Sequence, residues 1–143
     1  MAKVDLKRFS AEVQSAMRRA NAKAESDGHD YISTWHILSA LATEGPGHAY
    51  GLLQRLGITP DIIPLPAPPG KPNKKPTIGQ SFAEADRLGH DLVGTLHLLL
   101  GLLADGDAMD PILESVSLSR PRMRTVIIDE LKQATPEQPR AIS

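Results

Sequence analysis

The sequence predicts an all-α fold made of two tandem four-helix repeats, and three observations carry that expectation. The first is an internal copy: Gly28-His29-Asp30-Tyr31-Ile32-Ser33-Thr34-Trp35-His36-Ile37-Leu38 returns 61 residues later as Gly89-His90-Asp91-Leu92-Val93-Gly94-Thr95-Leu96-His97-Leu98-Leu99, identical at six of the eleven positions. A period of this length is the mark of a duplicated structural unit. The second is composition. Only Phe9, Tyr31, Trp35, Tyr50 and Phe82 are aromatic among 143 residues, so the core is left to Leu, Ile, Val and Ala, which suits small, closely packed helices. The third is apolar spacing at the helical period, punctuated by capping residues and glycine stops.

Taken in order, Ser10 is placed to cap a helix running to about Ser26, with Val13, Ala16, Met17, Ala20 and Ala24 on one face and Gly28 as its left-handed stop. Thr34 stands where the next cap belongs and opens a helix carrying Ile37, Leu38 and Leu41 inward until Gly45-Pro46-Gly47 breaks it. A third helix holds Leu52, Leu53 and Leu56 and ends at Gly57. Thr59-Pro60-Asp61 reads as a cap with proline at the first helical position, so a short fourth helix begins there. Pro64, Pro66, Pro68, Pro69, Pro72 and Pro76 then mark an extended, semi-rigid linker over 64–76. The second copy resumes near Thr77 and stops at Gly89; Thr95 caps a helix to about Leu103, and a short helix spans roughly Met109 to Val116. Ser119 caps a final helix with Met123, Val126, Ile127 and Leu131 on its apolar face. This gives a single domain over 1–143: repeat one at about 9–63, the linker, repeat two at about 77–133, and a tail over 134–143 expected to lack order.

Composition also narrows the function. There is no cysteine, which removes disulfides, cysteine metal sites and thiol nucleophiles. Lys and Arg number 16 against 17 Asp and Glu, a balance that speaks against a dedicated nucleic-acid binder. The small basic clusters, Lys71, Lys74 and Lys75 and then Arg120, Arg122 and Arg124, lack interleaved aromatics and read as solvated surface. The longest apolar stretch, around Leu96–Leu103, is too short to span a bilayer, and the amino terminus has no signal-peptide core. A soluble, cytoplasmic domain is expected. No Gly-x-x-x-x-Gly-Lys-Ser/Thr phosphate loop and no Gly-x-Ser-x-Gly elbow is present.

The repeated residues admit a chemical reading and a structural one. His29 and Asp30, mirrored by His90 and Asp91, match the dipeptide of metal-dependent phosphohydrolases, yet no convincing set of further ligands accompanies them. His29 and His36 are seven apart across a turn, not at the i, i+4 spacing of a helical zinc pair. The structural reading assigns Gly28 and Gly89 to helix stops and Thr34 and Thr95 to caps. It places His36 and His97 in a helix first turn, where the ring bonds to nearby backbone. A duplicated fold repeats its caps, whereas an active site needs one copy, so neither a metal nor a cofactor is expected. Trp35, matched by Leu96, sits beside a cap, where core packing or an apolar docking patch are the alternatives.

Phe9-Ser10, the motif from Gly28 to Leu38, Glu44-Gly45-x-Gly47 and the second motif from Gly89 to His97 closely resemble the amino-terminal repeat domain of Clp-type AAA+ unfoldases, over about Phe9 to Leu131. The resemblance implies two four-helix repeats packed as a pseudo-twofold and a non-catalytic role: binding protein substrates and adaptors for an ATP-driven unfoldase and protease. With no ATPase module in the sequence, the chain is similar to the stand-alone Clp amino-terminal-domain proteins of actinobacteria, acting as adaptor, regulator or decoy. The plastid accessory subunits that dock on the Clp protease ring are the alternative. A metal-dependent hydrolase using His29, Asp30, His90 and Asp91 is a more distant one.

The resemblance also proposes site residues. Many members carry Glu where this chain has Trp35 and Leu96, and in some of them the two acids hold phosphorylated arginine. Neither Trp35 nor Leu96 pairs with a guanidinium, which implies an apolar patch in place of that site. In actinobacterial members an apolar face beside the first helix captures cyclic peptide antibiotics; its leading aromatic corresponds to Leu6 and one groove residue to Met17. Its second aromatic has no counterpart, because the nearest position is Gly70 in the linker. The expected binding residues are therefore Leu6, Met17, Trp35 and Leu96.

Overall fold

The computed structural model describes residues 6–28, 32–43, 47–63 and 74–133, with side chains from Lys7 onward and, in the last segment, from Ile78 onward. Among them the chain forms seven α-helices, two 3-10 turns (Leu6–Arg8 and Pro60–Ile62) and no strand. The helices are α1 (Ala11–Ser26), α2 (Thr34–Thr43), α3 (His48–Leu56), α4 (Lys74–Arg87), α5 (Thr95–Leu102), α6 (Gly106–Ser115) and α7 (Arg120–Gln133). Among the described residues no helix is long and apolar enough to cross a membrane.

Local chemistry sets most of these boundaries. The Ser10 hydroxyl accepts the Val13 N–H at 3.0 Å, supplying the N-cap of α1. Gly28 and Gly89 end α1 and α4 at φ of 80° and 76°, and Gly57 ends α3 at 81°, a left-handed conformation that side chains with a Cβ resist. Ser119 accepts the Arg122 N–H at the start of α7. Two boundaries differ from the sequence expectation. Helix α6 begins at Gly106, earlier than Met109, because Asp105 caps it by accepting the Ala108 N–H. Helix α4 begins at Lys74, inside the expected linker; Pro76 falls in its first turn, where a missing N–H costs no helical bond. The fourth helix of repeat one is a single 3-10 turn, Pro60–Ile62. The rest of the linker and the tail over 134–143 lie outside the described residues.

Packing is centred on α2 and α5. Helix α1 lies on α2, α4 on α5, and the repeats meet where α2 and α3 touch α5 and where α2 touches α6. Every residue of α5 is buried, including Leu96, Leu98, Leu99, Leu100 and Leu102. In α2, His36, Ile37, Leu38, Leu41 and Ala42 are buried, so one aliphatic core runs through both repeats. Small residues (Ala16, Ala20, Ala24) form the buried stripe of α1 and let helices approach closely. Phe9 and Phe82 pack at 5.2 Å between centroids, and the Arg8 guanidinium lies over the Phe82 ring at 5.3 Å.

Polar ties cross between elements at the periphery. A lone bridge pairs Phe9 with Val93: Val93 N–H donates to Arg8 O at 2.7 Å and Ser10 N–H to Val93 O at 3.0 Å. Arg8 also donates to the carbonyls of His90 and Asp91 and to Asp86 Oδ1, clamping the α4–α5 turn to the amino-terminal segment. On the opposite repeat boundary Arg55 of α3 pairs with Glu130 of α7 at 2.7 Å. Glu84 of α4 is buried yet accepts from Arg124 of α7 at 2.5 and 2.8 Å, from Gln80 at 3.1 Å and from Arg87 at 3.3 Å. The Arg124 bond lowers its carboxyl pKa against the opposing pull of burial, and the same bond raises that of Arg124.

The glycine stops and the buried ion pair can each be tested by unfolding. Gly28→Ala and Gly89→Ala meet no atom within 4 Å of the new Cβ, so the cost is backbone strain alone, about 1 kcal/mol each, additive in urea unfolding. Glu84 binds its proton less readily folded than unfolded, so its stabilisation is present above the ordinary glutamate range and is lost as pH falls through the lowered folded value. Acid unfolding of Glu84→Gln should start from lower stability at neutral pH and show a shallower decline below pH of about 4.3.

Candidate docking site

The two copies of the repeated motif meet at the seam between the repeats, and their threonines do something the sequence reading does not assign. Thr34 and Thr95 are the first residues of α2 and α5, not their caps. The caps are Ser33, whose hydroxyl accepts the His36 N–H at 3.3 Å, and Gly94. Freed from local capping, both threonine hydroxyls reach the amino terminus of the third helix in the other repeat. Thr34 Oγ1 donates to Asp105 Oδ2 at 2.6 Å, the carboxylate whose other oxygen caps α6. Thr95 Oγ1 accepts the Ala49 N–H at 3.1 Å, and the cap of α3 is Gly47, which makes no side-chain cap bond. Repeat two thus supplies to α3 the acceptor that its own sequence lacks.

The histidines complete the same turns from within. His36 Nδ1 accepts the Ser33 N–H and His97 Nδ1 accepts the Gly94 N–H, both at 2.9 Å, so each ring reaches back to its own helix cap as expected of a first-turn residue. With Nδ1 accepting, the proton of each neutral ring sits on Nε2. In repeat two that Nε2 faces His90 Nδ1 at 2.9 Å, with the rings edge to face; in repeat one it faces Asp27 Oδ2 at 3.5 Å. His90 and His97 therefore direct their facing nitrogens at each other. Among the described residues no group of three or more His, Asp or Glu is placed to hold a metal ion. His29 and Asp30, named for the hydrolase alternative, lie outside the described residues, and Asp91 contributes its carbonyl to Arg8.

The four residues expected to bind a partner are separated by burial. Leu96 is 1% exposed and belongs to the core, so it forms no surface patch with Trp35. Its helix is covered on every side, whereas α2 keeps one flank toward solvent. Trp35 is half-buried and donates its indole N–H to Ala108 O at 3.0 Å, across the seam and in the first turn of α6. Met17 is half-buried on α1 against the core. Leu6 starts the first 3-10 turn, and its side chain lies outside the described ones. The seam partners Ala49, Asp105 and Ala108 escape a sequence reading because each sits far along the chain from its threonine or tryptophan. The available signal is Gly47, a helix start without a side chain.

The sequence profile of the Clp repeat (R) N-terminal domain matches residues 8–64 and 73–142. The chain is 33% identical over 138 residues to the Bacillus subtilis negative regulator of genetic competence ClpC/MecB, covering 87% of this chain and 17% of that protein. The chain spans about a sixth of the length of the curated relatives it matches. In fold it is similar to the N-terminal domain of the chaperone ClpD from Arabidopsis thaliana, with a TM-score of 0.68 at 17% identity over 92% of this chain and 99% of that one. The Hsp104 N-terminal domain from Candida albicans gives a TM-score of 0.66 at 18% identity over 94% and 99%.

The seam carries its own prediction. Thr34→Val removes one half-buried hydrogen bond and leaves Asp105 Oδ2 without that donor, at a cost of about 1 kcal/mol. Trp35→Phe loses the bond to Ala108 for about 1 kcal/mol. Thermal unfolding should show the two losses coupled rather than additive, since both bonds hold the first turn of α2 to the start of α6.

Proposed function

The chain belongs to the Clp repeat N-terminal domain family, and from that premise we propose that it is a non-catalytic binding module of the Clp system that docks polypeptides. Clp N-terminal domains are the substrate- and adaptor-binding part of Clp unfoldases. The observation that carries the reading is the family match across both repeats, together with a seam whose histidines and threonines are taken up by structure rather than chemistry. The partners on this reading are protein clients or adaptors and the unfoldase or protease subunits themselves. The chain would act on an unfoldase as adaptor, regulator or decoy, and cyclic peptide antibiotics are candidate small ligands.

Trp35 is the first choice for the docking face. Its indole is fixed by the bond to Ala108 while its ring stays half exposed, a rigid aromatic of the kind that dominates binding hot spots. Met17 and Leu6, beside the first helix, are proposed as a further apolar binding face, and Leu96 is withdrawn to the core.

The test is binding of a fluorescent unfolded client, and of a purified Clp unfoldase and protease ring, by the chain and by Trp35→Ala. Wild type should bind at least one of them and change the unfoldase's degradation rate for that client. Trp35→Ala should weaken binding by roughly fivefold or more. Capture of the protease ring alone would move the role to an accessory ring subunit. Failure to bind client, unfoldase and ring would remove the proposal. Gain of phosphoarginine-peptide binding by Trp35→Glu would support the correspondence of that position with the family's acidic one.

A further inference from the structure

The histidines of repeat two sit in a chain of bonds that fixes where each ring carries its proton. Gly94 N–H donates to His97 Nδ1 at 2.9 Å, so the neutral ring holds its proton on Nε2. That Nε2 lies 2.9 Å from His90 Nδ1, which therefore accepts, leaving the His90 proton on its own Nε2. His97 is buried and His90 is exposed. A second proton at His90 Nδ1 sets two N–H groups against each other, and the donor left without that acceptor is the buried one. A proton on His97 Nδ1 opposes the Gly94 N–H in the same way.

Repeat one is built differently at the matching positions. His36 Nδ1 also accepts the Ser33 N–H, but the Ser33 hydroxyl lies 2.8 Å from the same nitrogen and the Asp27 carboxylate 3.5 Å from Nε2. A proton added to His36 has a hydroxyl oxygen to turn to and a carboxylate beside the cationic ring. In the copy 61 residues later Ser33 is replaced by Gly94 and Asp27 by Leu88, so repeat two lacks both oxygens. Around the pair, Arg8 of the amino-terminal segment is matched by Asp86 of α4 at 2.7 Å and donates to the carbonyls of His90 and Asp91, and the Asp91 side chain is exposed. The other helices that touch α5 carry Glu12 in α1, His36 in α2, His48 in α3 and Arg124 in α7, the last bound to Glu84.

We infer that the His90–His97 bond is a pH-sensitive clasp, closed while both rings are neutral and opened when His90 takes up a proton. What it holds is the turn over 89–94. That turn anchors the amino-terminal segment, since Val93 N–H donates to Arg8 O and Ser10 N–H to Val93 O, and its last residue, Gly94, is the cap of α5. Histidine takes up protons around a pH of about 6.5, so the clasp contributes above that range and is lost as pH falls through it. Repeat one, with its hydroxyl and carboxylate, keeps its turn closed over the same range. The device belongs to the fold of repeat two and stands independently of the docking reading.

The experiment is hydrogen exchange of the wild-type chain, followed by NMR from a pH of about 7.5 to about 5.5, with each amide expressed as a protection factor so that the intrinsic pH dependence cancels. Protection of Gly94 and Val93 should fall about fivefold or more, while Ser33, the matching amide of repeat one, changes less than about twofold. His90→Asn keeps an acceptor near the place of Nδ1 but does not titrate, so both amides should stay protected across the range. A spectrum of the ring nitrogens at neutral pH should show His97 protonated on Nε2. No fall at Gly94, an equal fall at Ser33, a fall that survives in His90→Asn, or a His97 proton on Nδ1 would overturn the inference.

Discussion

The fold depends on two hydroxyls that cross from one repeat to the other. A helix start leaves main-chain N–H groups without partners, and burying them unsatisfied is costly. Helix α3 begins at Gly47, which offers no side chain, and it begins against the core, with Ala49 buried. The acceptor it needs comes from Thr95 of the other repeat. In return Thr34 fastens onto Asp105, the cap of α6. Both threonines stand at equivalent places in the duplicated motif, one donating and one accepting, so the same residue type serves both sides of an imperfect symmetry. The same seam also carries the histidines that hold the turns before α2 and α5 and the indole of Trp35.

That arrangement explains what is legible in the sequence and what is not. The caps and stops that act on their own helix can be read directly: Ser10, Gly28, Gly57, Gly89 and Ser119 all do locally what their residue types favour. The aliphatic core can be read too, because helical spacing and the scarcity of aromatics leave few other ways to bury a core than through positions such as Ile37, Leu38, Leu98 and Leu99. Thr34 and Thr95 read as caps but lie one residue inside their helices, since a threonine before an apolar run has the same local signature whether its hydroxyl turns inward or across. Only the tertiary arrangement decides between them. The early start of α4 is a similar case: a proline-rich stretch reads as extended, yet proline is compatible with a first helical turn.

The candidate site is legible only in part, for a related reason. Trp35 and Leu96 occupy the same position in the two motifs, but α5 is enclosed on all sides and α2 is not, so one side chain is left partly open and the other is lost to the core. Nothing in the eleven-residue motif distinguishes these environments; α7, which packs on α5, belongs to repeat two. The face of α5 under α7 shows the same divergence. Where a long fourth helix folds over the repeat, leucines lie beneath it; in repeat one, Ser39 and Thr43 stand at positions equivalent to Leu100 and Ala104. The histidine pair illustrates the reverse situation, in which a motif that suggests chemistry is accounted for by hydrogen bonds to Gly94 and between the two rings.

Because α3 is capped from outside its own repeat, the seam has the character of an interface between two separate proteins. Repeat one carries a helix start that repeat two completes, and repeat two carries a cap, Asp105, that repeat one braces. In a duplication joined in this way each threonine is held in place by the opposite copy, so a substitution in one half is felt in a helix of the other.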